Sequence, residues 1–261
     1  MFDNLFIRLF SLDFIRMRNK FTNFSWQVPK IVASFPKGKD AEKLYQAYQE
    51  KLKEFSNTEW GSLKYNKDSQ EIYGANNIDQ GILNNILKDS GVRVAVPSDD
   101  FNQDIFNLIK DRNSAYFNAN VVKEDLPLNK KDRGLWEKII NLAEDINGKV
   151  KFPFMAQGFY TLLDQNETGY GVQIVPASNF EIIEDDRLSS FYNEWKFNNV
   201  DEKGLPLDLD RFNGSKYFHV RDNGVSGVYL GGGGSLIFSN ELTSSDDKGR
   251  LVLVRDIESF V

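Results

Sequence analysis

The spacing of apolar residues changes once along this chain, near residue 148, and that change limits what it can fold into. Before it, apolar side chains recur every three or four positions, which is one face of a helix. Beyond it they alternate with polar ones at every second position, as on strands half-buried in a sheet. Of 19 glycines in 261 residues, twelve lie beyond residue 148, where closely spaced strands need tight turns. The pattern predicts an α+β protein: a helix-rich N-terminal half followed by an antiparallel β-rich C-terminal half, built as a sheet, a sandwich or a small barrel. Three segments are expected: an amphipathic helix and irregular arm over 1–38, a helical α+β region over 39–148, and the β-rich region over 149–261. The last two are open to being one continuous domain.

Within the first half, Phe2, Phe6, Phe10, Phe14, Met17 and Phe21 share one face of a helix over 2–22. Pro29 and Pro36 then break regular structure. A second helix is predicted over 41–56 behind Asp40, followed by a hairpin about Asn66-Lys67-Asp68. Ile78, Ile82, Leu83, Ile86 and Leu87 mark a third helix, and Val92, Val94 and Val96 a short strand stopped by Pro97. Ser98 is placed to cap a helix carrying Phe101, Ile105, Leu108 and Ile109, and Asn129 to cap one over 130–146 that Asn147-Gly148 closes. Beyond 148 the candidate strands are 149–155, 158–164, 170–175, 180–184, 191–197, 216–221, 225–230, 235–239 and 250–254.

The net charge is −6. Residues 1–39 hold seven cations and two anions, a balance of +5, which leaves −11 for the remainder. An acidic body disfavours nucleic acid, whose affinity comes mainly from neutralising phosphates; the basic head is suited to an anionic partner. Arg8 and Asp13 interrupt the apolar run Leu5–Ile15, so no secretory signal is read there, and no stretch approaches the roughly 18 uninterrupted apolar residues of a membrane span. The chain has no cysteine, which removes disulfides and thiolate metal sites. The expected location is the cytoplasm or a virion.

With one histidine, His219, zinc sites built on several imidazoles are excluded, and any Ser/His/Asp arrangement would have to use it. Asp164-Gln165-Asn166-Glu167-Thr168-Gly169 has the alternating oxygens of a calcium loop, but Val175 stands where its bidentate Glu belongs. It is read as a hairpin turn. Asp208 through Gly214 reads as an irregular turn beside a core, and Gly231–Gly234 as a flexible loop with no Lys-Ser/Thr to make it a phosphate cradle. No cofactor and no resident metal are called for.

Two stretches resemble known families. Asp185 and Asp186 at one strand end, with Glu194-Trp195-Lys196 on the next, resemble the metal-dependent nucleases named for their PD-(D/E)xK motif. That resemblance implies Mg²⁺ held by Asp185 or Asp186 and Glu194, with Lys196 steadying water or charge. No Pro-Asp precedes, and fewer than twenty residues are covered. Gly171 through Phe180, followed by the acidic turn and the Phe191–Phe197 strand, resembles the β-rich wing of tailed-phage portal and connector proteins over about thirty residues.

The favoured expectation is a non-enzymatic structural or interaction protein, a subunit of a larger assembly such as a phage head–tail connector or tail. Its partners are expected to be proteins, in a homo- or hetero-oligomer, with Phe2, Phe6, Phe10, Phe14 and Met17 as the partner-binding residues. The alternative is the Mg²⁺-dependent nuclease on Asp185, Asp186, Glu194 and Lys196. A third reading is a small-molecule or glycan-binding sheet built on Trp195, Tyr217 and Tyr229.

Overall fold

A computed structural model of the chain describes residues 30–55, 58–102, 105, 108, 114–164, 166, 169–189, 195–220, 224–231, 235–239, 242–243 and 249–257. The N-terminal helix expected over 2–22 lies outside these residues. Residues Ile31–Ile257 form one compact unit. Its strands are β1 (Lys30–Ser34), β2 (Lys64–Asn66), β3 (Glu71–Tyr73), β4 (Arg93–Val94), β5 (Ser114–Val122), β6 (Phe154–Leu163), β7 (Val172–Glu184), β8 (Trp195–Phe197), β9 (Lys216–His219), β10 (Val225–Gly231), β11 (Leu236–Ser239), β12 (Gly249–Leu251) and β13 (Leu253–Ile257). Three helices of eleven residues or more stand among the described residues: α1 (Gly38–Leu52), α2 (Asn77–Leu87) and α3 (Lys130–Asn147).

Strand β5 organises the large sheet. All nine of its residues are buried. One edge pairs antiparallel with β10 along the strand. The other edge carries two neighbours in succession: β12 runs parallel beside Ser114–Tyr116, and β6 runs antiparallel beside Ala119–Val122. The sheet therefore forks at β5. One branch continues through β12 to β3 and β2, and the other through β6 to β7. Beyond β10 follow β11, β9 and β8, with β11 and β9 parallel to each other. A second, three-stranded sheet has β13 between β1 and β4.

This arrangement corrects the expected fold class. There is no helix-rich half followed by an antiparallel β half. Among the described residues five strands precede residue 148, the first-half strands β2, β3 and β5 belong to the same sheet as β6–β12, and that sheet is mixed. The period-two signal of β5 is hidden because it is covered on both faces. Ala115, Phe117, Ala119 and Val121 enter one core with Phe218, Val228, Leu230 and Phe238. On the opposite face Asn118 and Asn120, which resemble a solvent side in sequence, bond to the helical layer and β6.

Helix α2 is the hub of that layer. Every residue from Asn77 to Asn84 is buried. Asn76 and Asp79 form a reciprocal capping box at its start. Its polar side is then stitched to strands: Asn77 Nδ2 donates to the Ala119 carbonyl (2.5 Å) and to Asn120 Oδ1 (2.7 Å), and Asn84 Nδ2 donates to the Phe159 carbonyl (3.1 Å) while its Oδ1 accepts from Val94 N–H (3.1 Å). A buried amide left without such partners costs about 1–3 kcal/mol. These bonds satisfy Asn84 and the Asn77 amide nitrogen, whereas the Gln80 side chain, equally buried between them, has no hydrogen-bond partner among the described residues. On the remaining surface Ile78, Ile82 and Leu83 belong to one core cluster with apolar residues of α1, α3 and β6.

Several local expectations match the fold. The β2–β3 hairpin turns on Asn66, whose Oδ1 accepts from Asp68 N–H and Ser69 N–H. Asn129 caps α3 through Lys131 N–H, and Gly148 ends it with φ of 78°. Helix α1 begins three residues earlier than expected, with Lys37 at the N-cap and no side-chain cap, so Asp40 lies in its first turn. The paired short strands expected on either side of residues 157 and 177 are instead two long ones, β6 and β7, interrupted by a register shift between Gln157 and Phe159.

Candidate interaction surface

Directly opposed residues of neighbouring strands project to the same face. In register from the sheet edge inward, Lys196 opposes Tyr217, His219 opposes Ile237, Ile237 opposes Tyr229, and Tyr229 opposes Tyr116. Tyr217 and His219 are two apart on β9 and so share that face. The result is one row of mostly aromatic side chains crossing β8, β9, β11, β10 and β5. Tyr116 is buried, Lys196, His219, Ile237 and Tyr229 are half-buried, and Tyr217 is 37% exposed. The Tyr217 and His219 rings stack at 5.9 Å, Tyr116 and Tyr229 stand 5.2 Å apart, and the Lys196 ammonium lies 5.5 Å from the Tyr217 ring centre. Asn118 and Asn120, further along the same face of β5, bond to α2 and β6. The aromatic row continues the face beyond the α2 contact.

A finger spanning residues 198–215 extends this edge. Lys196 and Asp210 exchange both backbone hydrogen bonds, at 2.7 and 3.0 Å. The Asp210 carboxylate accepts from Phe212 N–H (2.6 Å) and Asn213 N–H (2.8 Å), and these two donors hold it below the ordinary carboxylate range. Arg187 clamps the finger's base: its guanidinium donates to the Pro206 carbonyl and to the Asp201 carboxylate, each at 2.6 Å. At the tip Phe212 is 82% exposed, and the Arg211 guanidinium lies 5.2 Å from the Trp195 ring centre.

The residues assigned to metal chemistry are placed as follows. Asp185 accepts from Arg187 Nε (2.8 Å) and Nη2 (2.6 Å), and that pairing holds its carboxyl below the usual range. Asp186 is exposed and pairs with Lys151 at 2.9 Å. Lys196 projects onto the aromatic row, and Glu194 lies outside the described residues, as do Phe2, Phe6, Phe10, Phe14 and Met17. Among the described residues no three His, Asp or Glu side chains stand together as a metal site. In the calcium-like turn the Lys138 ammonium bonds the Asp164 carboxylate (2.7 Å) and the Val172 carbonyl (2.5 Å), two oxygens of the kind a cation would take. Of the three aromatic residues read as a binding sheet, Tyr217 and Tyr229 share a face. Trp195 opposes Phe218 and turns to the other.

No protein-family model matches the chain, and no curated protein or solved structure is significantly similar to it. Among the described residues no helix is long and apolar enough to cross a membrane. Sequence reading did not bring His219 and Ile237 onto one face, because they lie on separate strands, nor did it show Phe212 exposed on the finger. The only local signal was Asp210 two residues before Phe212, the spacing of a side chain that caps its own turn.

Proposed function

We propose that this chain is a non-enzymatic interaction protein, a subunit of a larger assembly, and that it meets its partner through the Lys196–Tyr217–His219–Ile237–Tyr229 row. The observation that carries this reading is the alignment of half-exposed aromatic and apolar side chains, in register, on one face of a sheet whose opposite face is packed core. Interface centres are enriched in aromatic residues and depleted in charge. A row held in register by backbone pairing presents them at little further entropic cost. The resemblance of Gly171–Phe180 to the portal wing makes a phage particle, at its head–tail connector or tail, the first setting to examine.

The test is the mass of the full chain in its native source. The parent should run in a complex well above its own 30.0 kDa. The double variant Tyr217→Ala, Ile237→Asp should run as the free chain with an unchanged far-ultraviolet circular dichroism spectrum. A parent that runs at its own mass in that source would sink the reading.

A further inference from the structure

Independently of that surface, we propose that Ser62, Asp79 and Tyr48 form a proton-operated joint: a proton taken up by Asp79 turns the Ser62 hydroxyl to the Gly74 carbonyl and fastens the end of α1 and residues 60–63 to α2. The contacts are one proton short while Asp79 is ionised. Ser62 Oγ stands 2.5 Å from the Gly74 carbonyl oxygen and 2.6 Å from Asp79 Oδ2. A hydroxyl carries one proton, and a carbonyl can only accept. Beside a carboxylate, Ser62 serves either Asp79 or Gly74, and the other oxygen pair is left at close range with no hydrogen between. Beside a carboxylic acid, Asp79 donates to Ser62 Oγ and Ser62 donates to Gly74, so both contacts are hydrogen bonds of ordinary O–H···O length. The Tyr48 hydroxyl donates to Asp79 Oδ1. Ser62 N–H and Asn76 N–H reach Oδ2 at the longer distances of 3.1 and 3.2 Å and position the carboxyl in either state. The Gly74 peptide is itself held, its N–H donating to the Gly249 carbonyl at 3.0 Å.

Among the described residues no Lys, Arg or His bonds Asp79. The charges of the elements around it are engaged elsewhere. On α1, Lys39, Asp40, Glu42, Lys43 and Glu50 are exposed, and Lys51 pairs with Glu54. Glu59 pairs with Lys131, and Glu71 of β3 with Lys37 and Arg250. The other titratable groups on this side are Tyr45 and Tyr48. Burial, with the Asp79 charge beside it, holds the Tyr48 hydroxyl well above its ordinary range, so it remains a donor. Asp79 is therefore the group that titrates, and burial moves its carboxyl up to about 6. The joint has leverage because α1 buries only Ala41, Leu44 and Tyr48. Its start is tied separately, by Gly38 N–H to the Gln70 carbonyl (2.9 Å) and by Lys37 to Glu71 (3.2 Å). Its end rests on Tyr48, on the Phe55–Trp60 ring contact at 5.3 Å, and on a chain at Gly61 so near that a Cβ there would stand 3.2 Å from the Tyr48 hydroxyl oxygen. Weakly buried ends of this kind open without the rest of a fold. The closed joint holds its proton more tightly than the open one. Fastening is complete below pH about 3.8 and is lost as pH rises through about 6.

The experiment follows amide hydrogen exchange of the full chain by mass spectrometry at pH about 5 and about 7.5, each rate divided by the intrinsic chemical rate at that pH. Protection of residues 45–55 and 60–63 should fall about tenfold in the parent, the ratio given by a carboxyl moved from 3.8 to about 6. At both pH values these residues should exchange faster than β5. Asp79→Asn should remove the pH dependence, and Ser62→Ala should bring the protection at pH about 5 down near the parent's at about 7.5. A carbon-13 titration of the Asp79 carboxyl in the parent follows the same proton and decides the matter where a variant does not fold. Equal parental protection at the two pH values, an Asp79 carboxyl that titrates in the ordinary aspartate range, or a pH dependence that survives Asp79→Asn would overturn the joint. Protection equal to that of β5 would show that the chain opens only as a whole, and would reject the local fastening.

Discussion

Asn118 and Phe159 exchange two hydrogen bonds across the register shift of β6: Phe159 N–H donates to Asn118 Oδ1 at 3.1 Å, and Asn118 Nδ2 donates to the Phe159 carbonyl at 2.8 Å. The amide side chain does for Phe159 what an opposed strand does elsewhere in a ladder. It is needed because Gly158, with φ of 72°, carries β6 past the point where β5 can pair with it. The shared carbonyl also accepts from Asn84, so α2, β5 and β6 meet at one peptide.

Asn118→Leu should lower unfolding stability by about 3 kcal/mol, because the Phe159 N–H is left buried without an acceptor and a larger apolar group enters a polar joint. Urea titration measures this. Asn84→Ala should cost a comparable amount alone, since the Phe159 carbonyl keeps Asn118 but the buried Val94 N–H loses its acceptor. The double variant should depart from additivity, because both amides address one oxygen. Strict additivity would mean that the three elements are not coupled there.

Gly81→Ala should destabilise by about 2 kcal/mol although alanine favours helix interiors by about 1 kcal/mol. Its Cβ would lie 2.9 Å from Thr161 Cβ, 3.0 Å from the Thr161 nitrogen, and nearer still to Oγ1. Backbone cannot yield as a side-chain end can, so overpacking prevails. Thr161→Ala in the same chain should recover part of the loss. Thr161 Oγ1 has no hydrogen-bond partner, so that change alone should cost little. Thermal midpoints of the four chains check the cycle.

Asp79 makes stability depend on mildly acidic pH. Burial pushes its carboxyl up from 3.8 to about 6, against the lowering effect of bonds from Ser62, Tyr48 and the Asn76 backbone. The groups facing it are the Tyr48 hydroxyl of α1, Ser62 Oγ and N–H, and Asn76 N–H. The folded chain holds this proton more tightly than the unfolded one. Its contribution is therefore complete below pH about 3.8 and is lost as pH rises through about 6. At about 1.4 kcal/mol per unit the difference is on the order of 3 kcal/mol. Subtracting the unfolding curve of Asp79→Asn from that of the parent should leave a fall across this window. A flat difference would show that the bonds offset burial.

The limits of sequence reading follow from what each element depends on. The β2–β3 hairpin and α3 were legible because Asn66 and Asn129 act on amides within three residues of themselves. Strand β5 was not, because Asn118 and Asn120 signal a solvent face until α2 and β6 are known to cover them. The candidate surface was legible only in part: Tyr217 and Tyr229 could be named, but their shared face and the exclusion of Trp195 depend on strand pairings separated by long stretches of chain.

By itself the sequence determined the composition-level exclusions, the helix and hairpin signals, and a chain able to bury a core without disulfides. Those properties rest on side chains and their near neighbours. Only the tertiary structure decided that β5 is central, that the sheet forks and mixes directions, and that Phe212 stands exposed on a braced finger. Each of these rests on hydrogen bonds or burial between residues far apart in the chain, and no local periodicity encodes which distant edge a strand will meet.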